Sequence, residues 1–350
     1  RRHACCLLVL FGASPAVCSC FVAGRPHELQ PLGDNTMYLP YATSLRMGRL
    51  GYQSDAQSSL AVSYNNLEGY GASLEKALTE PYPAYEKVGI RNPGGDYNQL
   101  DTTLLQIENE FYGTIRPKRV IHPGERPLHA LRERGVEYVE VRLMDLNPFE
   151  TLGISAATAR FLDVFLLHCL LSDSPPDTPE EIAELSRNQH RTAATGRDPA
   201  LLLERAGAQV KLTDWGHEVL AGCEPIAHAM DQAMGGTAYT EAWRAARAAL
   251  SAPEQLPSAR VLQAVQATQG QSFKNFVAEQ SHSTRDAFLM QPYPDALRDR
   301  YDHMAVASME EQRRIERSDT MPFEEYRRQY VSPERLGLRP GAVMVGAESP

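Results

Sequence analysis

The sequence predicts an α+β fold, with strands in its first part and helices in the rest. Two observations carry this. Between Leu104 and Phe149, two short runs alternate polar and apolar residues with a period of two. From Ser155 onward the pattern changes to helical segments, opened by capping residues and separated by Pro and Gly.

The first run, LLQIENEFY, sets Gln106, Glu108, Glu110 and Tyr112 on one face and Leu105, Ile107 and Phe111 on the other. The second, EYVEVRL, sets Tyr138, Glu140 and Arg142 opposite Val139, Val141 and Leu143. One face of each strand is apolar enough to pack on a core. Between them runs a basic, proline-broken connection in which Pro117 spaces Arg116, Lys118 and Arg119. A half-solvated antiparallel sheet also has a polar outer face, so an ordinary surface explains part of the pattern. Glu is disfavoured in strands, however, and carboxylates on neighbouring strands repel unless cations lie between them. The alternative is a Mg²⁺ or phosphate site, beside which a basic loop supplies the charge that a polyphosphate requires.

Upstream, Arg1, Arg2, the apolar ACCLLVLFGA and the small residues of ASPAVCS imitate a secretory signal. The apolar run is only about half a bilayer-spanning length. It is expected to be the end of a buried interior helix, opened by truncation. In MYLPYATSLRMGRLGYQSDAQS, Tyr38, Tyr41, Arg46 and Tyr52 lie among small residues with no regular period. Such a stretch either lines a small-molecule pocket or covers a core edge. Asn66 caps a predicted helix to about Leu78, broken by Pro81 and Pro83, and NPGGDYNQLD reads as turns.

A predicted apolar helix runs from Ser155 to about Leu171, interrupted by Arg160, Asp163 and His168, which mark it as a core helix and not a membrane span. His168 lacks a second ligand at i, i+4 and reads as a satisfied core or rim histidine. Thr178, Pro179, Glu180 and Glu181 start another helix. Further helices are predicted near 214–233, 239–251, 258–268, 271–281 and 295–317, the last with a solvated EEQRRIER face. The chain shows no internal repeat, no phosphate-loop GxxxxGK[ST] and no GxGxxG.

At 350 residues, with 43% hydrophobic and 23% charged residues, the chain has the composition of a soluble globular protein of one or two domains. A net charge of -9 argues against nucleic acid or an anionic membrane as the main partner. Six cysteines without a CxxC pair point to reduced thiols in a cytoplasmic protein.

The segments LFGASPAVCSCF, MYLPYATSLRMGRLGY, LLQIENEFYGTIRPKR, EYVEVRLMDLNPF, RFLDVFLLHCLL, MGGTAYTEA and SARVL resemble the glutamate–cysteine ligases of the gamma-proteobacterial type. The resemblance runs from about Leu7 to the Phe323 region and corresponds to about the last two-thirds of the family's length. The family's N-terminal third, with a Glu-x-Glu strand, further acidic ligands and a His in a Gly-x-His-x-Asn context, has no counterpart here. The chain is therefore expected to be a fragment with little ligase activity of its own.

The resemblance implies a glutamine-synthetase-like catalytic domain with a mainly antiparallel sheet. Residues 1–150 would be its C-terminal part, 151–332 a helical region packing on it, and 333–350 a loose tail. It implies ATP-dependent ligation of the glutamate γ-carboxylate to the cysteine amine through γ-glutamyl phosphate, with Mg²⁺ or Mn²⁺, in a cytoplasmic monomer. Glu140 then corresponds to a metal-bridging glutamate and Arg142 to the arginine on the transferring phosphate. Glu108 and Glu110 carry the family's metal-side pattern. Arg46 corresponds to an arginine that holds an amino-acid substrate, Tyr52 and Tyr112 to the cysteine pocket, and Arg116, Lys118 and Arg119 to the nucleotide side. At Leu143 the resemblance calls for a smaller residue, which places a packing change behind the sheet. A related carboxylate–amine ligase and a non-catalytic nucleotide- or metal-binding chain are the alternatives.

Overall fold

In the computed structural model, which describes residues 1–57 and 60–337, the apolar opening run forms helix α1 (Ala4–Phe11), and Cys5, Cys6, Leu7, Leu8, Val9 and Leu10 are all buried. A short helix α2 (Ser19–Val22) follows strand β1 (Ala16–Cys18). Strands β2 (Gln30–Gly33) and β3 (Thr36–Tyr38) complete an antiparallel sheet of order β1-β3-β2. Helices α3 (Leu67–Thr79) and α4 (Pro83–Val88) precede strand β4 (Ile115–Lys118), helix α5 (Pro127–Arg134) and strand β5 (Tyr138–Val141). Then come α6 (Ala156–Leu171), α7 (Pro179–Thr195), the hairpin of β6 (Leu202–Arg205) and β7 (Ala208–Lys211), and α8 (Leu212–Met234). The chain continues through α9 (Ala238–Ser251), α10 (Pro257–Ala267), α11 (Phe273–Leu289), α12 (Asp295–Ser318) and α13 (Phe323–Val331).

Two compact units emerge, and they interleave along the chain instead of dividing once near residue 150. The first comprises Arg1–Asn65, Tyr112–Arg116 and Glu140–Thr284; the second comprises Asn66–Phe111, Pro117–Val139 and the chain from Arg285 onward.

In the first unit, α1 lies against α7, α8 and α9, and α6, α8 and α9 pack on one another. Phe161, Val164, Phe165, Trp215, Val219, Leu220 and Trp243 fill the space between them. Each such side chain contributes about 1.5–3 kcal/mol by leaving water, so this layer dominates the unit's stability. The indole N–H of Trp243 donates to the Leu220 carbonyl at 2.7 Å, so its polar atom is not left unpaired. Ser155 and Thr178 cap α6 and α7 through the N–H groups of Thr158 and Glu181, as expected from sequence. His168 is a half-buried rim histidine facing Gly222, where an added Cβ would lie 2.4 Å from its ring.

In the second unit, α3 packs on α5, and Leu74, Leu78, Leu105, Leu128, Leu131 and Leu336 are buried. Asn66 caps α3 by accepting from Gly69 N–H at 2.7 Å. One ion pair is fully enclosed. Arg126 donates through Nε to Glu108 Oε2 at 2.9 Å, its Nη2 lies 2.8 Å from the same oxygen as an ion pair, and Nη1 donates to the Tyr330 carbonyl at 2.7 Å. Leu128 N–H donates to Glu108 Oε1 at 3.1 Å, and the guanidinium lies 4.6 Å from the centre of the Tyr330 ring.

This pair overturns the first predicted strand. Glu108–Glu110 form a 3₁₀ turn, because Glu108 is drawn inward to Arg126 while Glu110 accepts from Gln106 N–H at 2.8 Å. The alternation of Gln106, Glu108, Glu110 and Tyr112 is therefore not a strand face. The predicted basic loop is instead strand β4, joined to β5 by Glu137 N–H to the Lys118 carbonyl and Arg142 N–H to the Thr114 carbonyl, both 2.9 Å. Pro117 is tolerated because a two-stranded ribbon leaves edge positions that need no N–H. Leu143 is buried in the first unit's core, whereas Val139 on the predicted apolar face is exposed. α12 has no buried residue and carries local pairs such as Arg314–Glu311, as its charge run predicts. The predicted tail starts late: Pro333–Leu336 form a 3₁₀ turn with Leu336 buried, and 338–350 lie outside the described residues.

Removing one partner of an enclosed ion pair leaves an uncompensated charge, at a cost of about 3–5 kcal/mol. Glu108→Ala is therefore expected to destabilise the second unit by that amount in urea unfolding. A loss below about 1 kcal/mol would show that Arg126 finds water in the native state. The same unit is expected to weaken in acid. The Arg134 guanidinium, helped by His122 N–H, holds Glu125 down at about 2, and Arg327 and the Tyr97 hydroxyl hold Glu324 well below the usual carboxylate range. Both folded values lie below the unfolded ones, so their stabilisation is present above the ordinary carboxylate range and is lost as pH falls toward about 2. Acid titration followed by circular dichroism should show a limb that Arg134→Gln and Arg327→Gln flatten.

Candidate functional site

Around Arg46 the chain forms a single 3₁₀ turn, and its shape comes from hydrogen bonds to neighbouring segments. Thr43 and Ser44 N–H groups donate to the Ala193 carbonyl at the end of α7, at 2.9 and 3.2 Å, and Thr43 Oγ1 donates to the Thr192 carbonyl at 2.8 Å. The approach is close enough to require glycine: a Cβ on Gly12 would sit 2.7 Å from the Thr43 carbonyl oxygen. Ser44 then caps the 3₁₀ turn Leu45–Met47, which carries Arg46 with Leu45 and Met47 buried on either side. Gly51 lets the chain double back on Arg46, so that Tyr52 N–H meets the Arg46 carbonyl.

The Arg46 side chain is held by Asp145. Asp145 is buried and accepts from Arg46 Nε at 2.6 Å, Ser14 Oγ at 2.7 Å and Ala13 N–H at 2.8 Å. Arg46 Nη2 donates to the carbonyls of Arg142 and Met144, at 2.9 and 2.7 Å. These bonds fix the backbone that leaves β5, and with it the direction of Arg142.

On this frame six side chains converge. The Tyr52 and Tyr112 rings meet edge to face with centroids 4.7 Å apart. The guanidiniums of Arg142 and Arg46 lie 5.1 and 5.8 Å from the centre of the Tyr52 ring. Arg116, buried, donates from Nη2 to the Tyr52 hydroxyl at 2.9 Å. Glu140 accepts from Arg142 Nη1 at 3.0 Å and lies 3.9 Å from Arg116 Nη1. Arg142 and Glu140 are each about one-third exposed, so the pair faces water; beside it Tyr52 packs partly buried against the core and Tyr112 is exposed. The arrangement can take a small anion onto two guanidiniums with a planar aromatic surface at its side.

Residues 1–192, more than half of the chain, match the glutamate–cysteine ligase family. The chain belongs to that family. It is 48% identical over 93% of its length to the glutamate–cysteine ligase of Janthinobacterium sp. (strain Marseille), of which it covers 61%, and 44% identical to that of Alcanivorax borkumensis, of which it covers 63%. A solved glutamate–cysteine ligase of Francisella tularensis, in complex with AMP, superposes with a TM-score of 0.87 at 32% identity over 94% of this chain and 65% of that one. A bifunctional glutathione synthetase of Pasteurella multocida, 23% identical with a TM-score of 0.55, covers 82% of the chain and 31% of its own and shares the fold. The α+β class stands, with small antiparallel sheets among many helices.

Arg46, Tyr52, Tyr112, Arg116, Glu140 and Arg142 gather in the first unit. Glu108, Glu110, Lys118 and Arg119 belong to the second unit. There Glu108 is committed to Arg126 and Leu128 N–H, so it is withdrawn as a metal ligand. Arg119 donates to the Arg134 carbonyl at 2.9 Å and lies 3.5 Å from Glu137, and Lys118 donates to Asn109 at 3.3 Å. Among the described residues, the one group of three metal-capable side chains is Glu125, His129 and Glu133, and Arg134 already occupies Glu125 with two bonds of 2.7 Å. No helix of the described residues is long and apolar enough to cross a membrane.

Sequence reasoning overlooked Asp145, Ser14 and Arg126. An aspartate placed directly after a strand's apolar face (Leu143, Met144, Asp145) is a signal for a buried carboxylate with specific donors, whereas nothing local marks Ser14 or Arg126.

Tyr52→Phe should isolate one of these bonds. It removes the hydroxyl that a buried guanidinium uses and is expected to cost about 2 kcal/mol in urea unfolding. Tyr52→Ala should cost clearly more, because both cation–π contacts and the Tyr112 contact go with the ring. Equal costs would mean that the ring contacts contribute nothing.

Proposed function

We propose that this chain carries the acid–arginine part of the site of an ATP-dependent glutamate–cysteine ligase. Glutamate would be activated as γ-glutamyl phosphate, and the cysteine amine would displace phosphate to form the amide. Activation is needed because a carboxylate has no competent leaving group, and the mixed anhydride supplies one. The observation that carries the reading is the placement of Arg142 and Arg116 around Glu140, against the paired Tyr52 and Tyr112 rings. AMP in the Francisella tularensis relative supports a nucleotide as co-substrate.

Arg142, half-exposed and aimed by the bonds to its own backbone, would contact the phosphoryl group and stabilise the charge that develops on it. Arg116 would approach the same phosphate from its buried position beside the Tyr52 hydroxyl. Arg46 has Nε and Nη2 engaged, so it would add charge for an amino-acid carboxylate and not a two-pronged fork. Tyr52 and Tyr112 would form the wall against which the cysteine side chain packs. Lys118, Arg119 and Glu110 belong to the second unit, where each has local bonds, and the reading rests on the first unit's cluster alone. Glu140 is a partly exposed carboxylate in a cluster whose other acid, Asp145, is fully bonded; that suits Mg²⁺, which takes one or two protein carboxylates and completes its shell with phosphate oxygens and water. Bound there by Glu140, Mg²⁺ or Mn²⁺ would neutralise phosphate charge. A cytoplasmic monomer completes the proposal.

The test is phosphate release from ATP with glutamate and Mg²⁺, in a polypeptide extended to the relatives' full length, with cysteine, alanine or α-aminobutyrate as acceptor. Cysteine-dependent release with a γ-glutamyl product is expected, and Arg142→Ala should lower the rate at least about a hundredfold with the fold intact. Release that needs no amine, or an Arg142→Ala rate near the parent's, would overturn the assignment. Absence of release with every amine would leave a nucleotide- or metal-binding protein without ligase chemistry.

A further inference from the structure

Outside this cluster, at the far end of β1, two thiols stand against each other. Cys18 is the last residue of β1, opposite Thr36 of β3, and Cys20 lies in the single turn α2 that follows. The backbone is extended at Cys18, with φ -66° and ψ 139°, and Ser19 N–H is tied to the Asn35 carbonyl at 2.9 Å. This corner brings the Cys20 Sγ to 2.8 Å from the Cys18 Sγ. Cys20 is exposed and Cys18 partly so, and no cysteine of the chain is in a disulfide.

The spacing separates the chemical possibilities. Two thiolates sharing a zinc ion at bond lengths of about 2.3 Å and a tetrahedral angle stand about 3.7 Å apart. The observed sulfurs are well inside that distance, and a covalent S–S bond of about 2.05 Å lies less than 1 Å away. A covalent bond between them therefore fits better than a shared metal.

We propose that Cys18 and Cys20 are a reversible redox pair that closes to a disulfide by exchange with a small-molecule disulfide. The Cys18 thiolate attacks one sulfur of R–S–S–R, which releases RS⁻ and leaves a mixed disulfide on Cys18. Cys20, deprotonated, attacks the Cys18 sulfur, forms the internal bond and releases the second RS⁻. Two protons and two electrons leave the pair, and one R–S–S–R becomes two R–SH. Cys18 is the attacking sulfur because the Cys20 thiol and the Cys20 N–H bond to it and Lys274 adds positive charge, all of which lower its pKa and favour its thiolate, while the Cys18 sulfur raises the pKa of Cys20. The enclosed loop is very short, so the bond gains little from chain entropy and opens again when free thiol is in excess. The remaining thiols do not compete. Burial pushes Cys5 up to about 11 and Cys223 to about 12, and it raises Cys6 and Cys169 as well.

The test equilibrates the native chain with hydroxyethyl disulfide and 2-mercaptoethanol in varied ratios, quenches with acid, alkylates residual thiols and maps peptides by mass. The expected result is a peptide that contains both cysteines, lacks two hydrogens and resists alkylation, and that returns to two free thiols in excess 2-mercaptoethanol. Cys20→Ser should stop at a mixed disulfide on Cys18, and Cys18→Ser should form its adduct on Cys20 at least about tenfold more slowly. Neither sulfur belongs to a core, so unchanged thermal unfolding confirms that the variants are folded. Independent adducts on both sulfurs of the parent chain, or equal rates in the two variants, would overturn the proposal.

Discussion

The carboxylate of Asp145 is the point on which the first unit's site depends. Two of its three donors, Ala13 N–H and Ser14 Oγ, come from the turn after α1, and the third, Arg46 Nε, belongs to a guanidinium that also donates to the backbone leaving β5. A buried carboxylate is unfavourable unless its lone pairs are met, and here a charge-assisted bond and two further bonds meet them. The same bonds leave Arg46 little freedom. Its guanidinium spans from a carboxylate to two carbonyls and holds Arg142 and Met144 in one register. The orientation of Arg142 is thus settled before any ligand arrives, which is the condition under which a positive group stabilises a developing charge without reorganising.

The second unit has a corresponding anchor in Arg126 and Glu108, but its consequence is structural. Arg126 draws Glu108 out of the pattern in which it appears to belong and joins the turn at Glu108–Glu110 to the start of α5 and the end of α13. Both anchors are guanidinium–carboxylate pairs with backbone groups that complete their shells, and they differ in exposure. Arg126 is enclosed on all sides, whereas Arg46 is one-third open and beside an aromatic ring.

What could be read from sequence follows the range of the interaction responsible. Caps act across three residues, so Asn66, Ser155 and Thr178 announced their helices correctly, and the apolar run at α1 announced its burial. The Glu140–Arg142 pair was legible because side chains two apart on a strand share a face. The run at Gln106–Tyr112 misled because its alternation is real while its cause is not a sheet: the partner that turns Glu108 inward is 18 residues away, and the second partner of that guanidinium is 204 away. Pro117 misled in the opposite sense, since proline suggests a loop except at a ribbon's edge. The interleaving of the two units depends on several crossings of the chain, and no local pattern encodes a crossing.

The charge of the site runs against the charge of the chain. Asp145 neutralises Arg46, and Arg116 and Arg142 share Glu140, so three guanidiniums face two carboxylates in a protein with a net charge of -9. At physiological salt, fields fade over about 8 Å. A small anion that reaches the cluster therefore meets a positive surplus in close contact, whereas an extended polyanion also meets the acidic remainder of the surface. The Tyr52 ring adds a short-range attraction to the guanidiniums of Arg142 and Arg46 that lie near its centre. Local surplus within global deficit selects for size: it favours a phosphate or a carboxylate over an extended polyanion.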